Sequence, residues 1–96
     1  MTSDEQAALR DAKGFAGAGR IVFGAHARQR MRLRRASERD VRNALMTATA
    51  CRDQRADVGR VADWFVSGGT DEDGDALDCA VSFDGAVAVV TIYTEA

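Results

Sequence analysis

The chain is poor in the residues that would place it in several familiar classes. It has no proline, so its breaks fall at glycine, and only two cysteines, Cys51 and Cys79, too few for a disulfide scaffold. The longest unbroken apolar run, Gly85 to Val90, is far too short to span a membrane. The N-terminal stretch MTSDEQAALR is polar and acidic and lacks the basic start and apolar stretch of a secretory signal. A cytoplasmic setting with both cysteines as thiols is the expectation that follows. There is no low-complexity run and no internal repeat. What is present, 46% hydrophobic residues in 96, is an ordinary globular composition for one domain with one modest core.

Charge is present in balance but not evenly spread. Residues 20–42 carry eight arginines against Glu38 and Asp40, a net of +6. Residues 61–96 carry eight acids and no Lys or Arg, a net of −8. Segregation of this kind marks a surface for a charged partner. Lys13 is the only lysine, and arginine suits two-pronged contacts to phosphate.

Periodicity places helices first and strands after. Ser3 with Gln6 offers a capping box for a first helix anchored by Leu9, and Gly14, Gly17 and Gly19 end it. Residues 1–19 are therefore expected as a helical arm, partly ordered, ahead of one domain over 20–96. Ile21-Val22-Phe23 reads as a short strand, followed by a helix from about Ala25 to Arg35 with Ala27 and Met31 as its apolar positions. Ser37 and Asp40 cap a third helix, whose Val41, Ala44, Leu45 and Ala48 recur at helical spacing. After Cys51 the period becomes two. Val58 to Ser67 and Leu77 to Phe83 read as strands, Asp84-Gly85 as a two-residue hairpin turn, and Ala86 to Thr94 as the central strand. The fold class expected is α+β, with the helices on one face of a mostly antiparallel sheet of three to five strands.

One stretch carries chemistry. On the second helix His26, Arg30 and Arg34 fall at i, i+4 and i+8, a row of roughly 12 Å along one face. An imidazole can take a proton from a ribose 2′-hydroxyl, and guanidinium groups can hold the phosphate and offset its growing charge. Arg28, Arg32 and Arg35 add nucleic-acid-binding charge beside that row. Thr91 and Tyr93 share a face of the last strand and are candidates to position or protonate. A solvated basic face, and ordinary strand residues, are the plain alternatives. The acidic stretch Asp71–Asp78 does not match a calcium loop, since Ala76 and Ser82 stand where glycine and glutamate belong. Cys51, Cys79 and His26 lack metal-ligand spacing. Neither metal nor cofactor is expected.

The stretch I-V-F-G-A-His26-Ala-Arg-Gln-Arg30-Met31-Arg-Leu-Arg34-Arg35-Ala-Ser-Glu-Arg-Asp40-Val41 resembles the small bacterial domain-of-unknown-function family 4258. That family's pattern is an apolar strand, H-A-x-x-R-M-x-x-R-G-I-x-x-x-D-V, and an apolar helix. W-F-V-x-G at Trp64 to Gly68, D-G at Asp73-Gly74 and V-V-T-I-Y at Val89 to Tyr93 agree in outline. The resemblance implies a fold similar to the barnase, EndoU, colicin and RelE group. It also implies kinship with MqsR-like and BrnT-like ribonuclease toxins, with His26, Arg30, Arg34, Thr91 and Tyr93 at the polar positions. Two departures stand out: Arg35 replaces the pattern's glycine, so the link to the third helix is expected to differ, and the chain is acidic overall.

Three functions fit these residues. The first is a metal-independent endoribonuclease of a toxin–antitoxin pair, cutting single-stranded RNA and held by a cognate antitoxin. The second is a non-catalytic module that docks an acidic protein or nucleic acid through the arginine helix. The third is self-association as a homodimer, basic helix against acidic strands.

Overall fold

The computed structural model describes residues 1–94, so Glu95, one of the eight acids counted above, lies outside the described residues. The elements run α1 (Ser3–Gly17), β1 (Ile21–Phe23), α2 (Ala25–Arg34), α3 (Glu38–Thr47), β2 (Ala50–Asp53), β3 (Trp64–Ser67), β4 (Leu77–Phe83) and β5 (Val87–Thr94). Three helices pack against one five-stranded sheet of order β1-β5-β4-β3-β2. Strands β2 to β5 form an antiparallel meander, and β1 joins the outer side of β5 in parallel. The α+β class holds. The last strand is internal, although β4 rather than β5 stands in the middle.

Capping sets the helix starts. Thr2, not Ser3, caps α1: its hydroxyl accepts from the Glu5 N–H while the Glu5 carboxylate accepts from the Thr2 N–H. The sequence holds two overlapping boxes one residue apart, and Glu5 wins because its second oxygen also accepts from the Asp53 N–H at 2.9 Å. Its backbone donors hold the Glu5 carboxyl below its ordinary value. Ser37 and Asp40 form the expected reciprocal cap on α3.

The first helix is no loose arm. Ala8, Ala12 and Ala16, one face at four-residue spacing, are buried in the same core as the strands, and Leu9 is only half-buried. Small side chains let α1 lie close to α3 and β2. Arg42 of α3 then donates to the last carbonyls of α1, Nε to Ala16 O at 2.9 Å and a terminal nitrogen to Gly17 O at 3.1 Å.

The strand expected from Val58 begins only at Trp64. Its neighbour β2 ends at Asp53, opposite Trp64, so earlier residues have no ladder to join. Val58 is wholly exposed at the loop tip. The β4–β5 turn is also one residue longer than expected: Phe83 pairs with Val87, leaving Asp84, Gly85 and Ala86 between. Gly85 takes φ 66°, the left-handed position that a three-residue hairpin loop needs.

A β-bulge reorders β5. Val81 pairs with Val89 but Ala80 pairs with Thr91, so Val90 is the extra residue. Val87, Val89 and Ile92 consequently share the core face with Leu77, Cys79 and Val81. Thr91 and Tyr93 share the other face with Ala80 and Phe65. Strict alternation from Val87 would have put Thr91 in the core row, and the bulge is what prevents it.

Gly69 fixes the seam between sheet and α3. A side chain there would run into the backbone carbonyl of Ala44, so α3 lies as close to the β3–β4 connection as backbone allows. Asn43 and Thr47 of α3 tie down that connection by hydrogen bonds to Thr70 and Asp71.

Candidate functional site

Helix α2 owes its position to two residues. Ala27 and Met31 enter the core, and the helix packs against β5. It starts straight after β1, with the Gly24 N–H donating to Val89 O at 3.0 Å. Every other α2 residue is exposed or half-buried. A helix with so narrow an apolar stripe presents its remaining faces to solvent.

The structure places His26, Arg30 and Arg34 on one flank of that stripe and Arg28, Arg32 and Arg35 on the other, as their 100° steps require. His26 is exposed in the first turn, where the helix dipole favours an anion. Arg30 is half-buried, and its Nε is enclosed without a hydrogen-bond partner. A buried, unsatisfied donor on a charged group costs on the order of 1–3 kcal/mol, which a ligand oxygen would recover. Arg34 is exposed at the C-terminal end.

The other flank is partly spent on the fold. Arg28 pairs with Glu38 of α3 at 3.3 Å and lies over the Phe23 ring, 5.3 Å from its centroid. Arg35 ends the helix in the left-handed region at φ 56°, with its N–H and that of Ala36 directed back to Arg32 and Met31 carbonyls. Where the family pattern has glycine, Arg35 takes the left-handed conformation that glycine adopts most readily. Elsewhere in the basic segment Arg39 pairs with Glu72 at 3.0 Å, and Arg42 serves the end of α1. The net of +6 therefore overstates the charge open to a partner, since Arg28, Arg39 and Arg42 are engaged within the fold.

Thr91 and Tyr93 share a face of β5, as their spacing suggested, but differ in exposure. Thr91 is 3% exposed, while Tyr93 is 40% exposed with its ring 5.7 Å from that of Phe65. Arg52 of β2 lies over the far side of this pair, 5.7 Å from the Phe65 centroid. Their shared face is opposite the one on which Val87, Val89 and Ile92 join the core. Burial removes the Thr91 hydroxyl from any role that needs solvent contact.

A cleft of about 530 Å³ opens at the C-terminal end of α2. Arg34 and Arg35 line one side, Asp71 and Asp75 line another, and Thr94 lies within it with its hydroxyl oxygen buried and unpartnered. Nothing in the sequence marks this meeting, because the acidic loop lies 36 residues beyond Arg35. The loop that looked like a failed calcium site is a turn held by its own carboxylate: Asp71 Oδ1 accepts from the Asp73 and Asp75 N–H groups, both at 2.9 Å.

The cysteines sit apart from this region. Burial pushes the Cys51 thiol up to about 11 and the Cys79 thiol up to about 12, so both are protonated near neutrality. Among the described residues no group of three or more His, Cys, Asp or Glu is placed to hold a metal ion. Among them, too, no helix is long and apolar enough to cross a membrane.

No family model, curated protein or solved structure matches the chain. The resemblance to the 4258 family rests on the quoted residues, and function has to be argued from the geometry of α2.

Proposed function

We propose that the chain binds single-stranded RNA along α2 and cleaves it without a metal ion, as a small endoribonuclease of toxin type. The observation that carries this reading is Arg30, whose enclosed Nε has no partner, one turn after the exposed His26. A phosphate oxygen is the acceptor that such a guanidinium lacks. His26 takes the proton of a ribose 2′-hydroxyl. The 2′-oxygen bonds to phosphorus, the bond from phosphorus to the 5′-oxygen breaks, and water protonates that oxygen. A 2′,3′-cyclic phosphate remains. Arg30 and Arg34 hold the phosphate, with Arg32 adding charge. A cognate antitoxin would cover α2 with an acidic segment.

One observation favours a second reading, a module that binds RNA or an acidic protein without cutting. Thr91 is buried and Tyr93 is engaged with Phe65, so neither stands ready as the second acid–base group. The test is incubation of purified protein with an unstructured RNA in EDTA. Cleavage, slowed roughly 10²- to 10⁴-fold by His26→Ala, supports the enzyme. Intact RNA that is nonetheless bound supports the module.

A further inference from the structure

The acidic loop between β3 and β4 is fixed beside the arginine helix, and the bonds that fix it leave the Asp75 carboxylate out. Hydrogen bonds of 2.8 to 3.1 Å attach it to α3. Asn43 Nδ2 donates to Thr70 O at 2.8 Å and to Asp71 O at 3.1 Å, the Thr70 N–H donates to Thr47 Oγ1 at 2.9 Å, and the Glu72 N–H donates to Asp40 Oδ1 at 3.1 Å. None of them uses the side-chain carboxylate of Glu72 or Asp75. Glu72 instead pairs with Arg39, and Asp75 faces the cleft that Arg34 and Arg35 also line.

A phosphate strand lying along α2 thus meets a gradient. At the His26 end the helix dipole is positive and no acid side chain lies in the first turn. At the Arg34 end the dipole is negative, and Asp71 and Asp75 line the cleft that Arg34 and Arg35 also line. The loop is pinned by backbone groups, so a ligand cannot simply push these charges aside.

We propose that Glu72 and Asp75 are specificity-determining residues that end the cationic track, so that α2 holds a short stretch of strand at His26 and Arg30 and rejects phosphates beyond Arg34. This rests on the RNA-binding reading for its ligand, but the electrostatic boundary applies to any polyphosphate chain.

The test compares wild type, Glu72→Gln/Asp75→Asn and a charge-matched control, Asp11→Asn/Asp84→Asn, whose two acids are exposed and lie off the loop, Asp11 on α1 and Asp84 at the other end of β4. Each is titrated with a trinucleotide and a dodecamer of uridylate, and with tripolyphosphate and long-chain polyphosphate. The expected result is that the loop variant gains about tenfold for the long ligands and little for the short ones, with a salt slope steeper by about 0.7 per phosphate gained. An equal gain in the control, or equal gains for short and long ligands, overturns the proposal. A length-dependent gain on polyphosphate with no binding of uridylate supports the boundary while sinking the RNA reading. No gain on either ligand by the loop variant overturns the boundary, whatever wild type does with RNA.

Discussion

Two arginines, Arg55 just after β2 and Arg30 on α2, show how differently one residue type is used. Arg55 follows β2 and is saturated. It donates to both Asp53 oxygens and to Asp4, at 2.8 to 3.0 Å, and its guanidinium lies 4.6 Å from the centre of the Trp64 ring. Those bonds raise its own pKa further and bring the Asp53 carboxyl down to about 2. Arg30 is more enclosed than Arg55 and yet has an Nε with no partner. A guanidinium that fastens α1 to β2 has its acceptors built in. One whose acceptors are missing is costly to the fold, and a ligand that supplies them explains why it is tolerated.

The largest difference is expected when the two are exchanged for the same side chain. Arg30→Met should weaken RNA binding by roughly tenfold to a hundredfold, as loss of one charge-assisted phosphate contact does. It should also raise stability by about 1 kcal/mol in chemical denaturation, because a buried unsatisfied donor is gone. Arg55→Met should leave RNA binding unchanged and lower the melting temperature. Matching losses of binding and stability in both variants would erase the distinction.

Acid titration sharpens the same contrast. Asp53 is held down chiefly by the Arg55 side chain, Glu5 by the Thr2 N–H and Asp40 by the Ser37 N–H. A carboxyl whose folded pKa is depressed adds stability above its unfolded value and loses it as pH falls through the folded one. Stability should therefore be level above about pH 5 and decline from about pH 4 towards pH 2. Arg55→Met should flatten that decline, Arg30→Met should leave it alone, and urea midpoints across the range would show both.

A smaller effect is expected at the end of α2. Arg35 occupies a left-handed conformation that costs a non-glycine residue about 1 kcal/mol. Arg35→Gly should stabilise the protein by up to that amount, and RNA affinity should fall only slightly. A loss of stability would mean that the Arg35 side chain contributes more to the fold than its strain takes away. The smallest effect concerns the thiols: with Cys51 and Cys79 buried and protonated, a thiol reagent should label neither in the folded protein at neutral pH.

Much of this architecture is legible in the sequence, and the exceptions have local causes. The α2 and α3 boundaries and the Ser37–Asp40 cap follow from spacing and capping chemistry. The Thr2 cap was hidden by an equally good box one residue later, and Asp53, distant in sequence, decided between them. The buried alanine face of α1 does not show in the sequence, because alanine carries no hydrophobic weight that separates a buried face from an exposed one. The ridge of His26, Arg30 and Arg34 was visible from helical spacing alone. The bulge at Val90, which takes Thr91 out of the core row and puts it with Tyr93 on the face of Phe65, has no sequence mark, and neither does the approach of the Asp71–Asp75 loop to Arg34, Arg35 and Arg39.

The most direct test of the account follows arginine side chains by NMR while an unstructured uridylate oligonucleotide is added in EDTA. The account predicts that the Arg30 Nε–H and His26 ring resonances shift first and furthest, while Arg55 Nε–H stays where it is. Shifts centred on Phe65, Tyr93 and Arg52, with α2 unmoved, would contradict it.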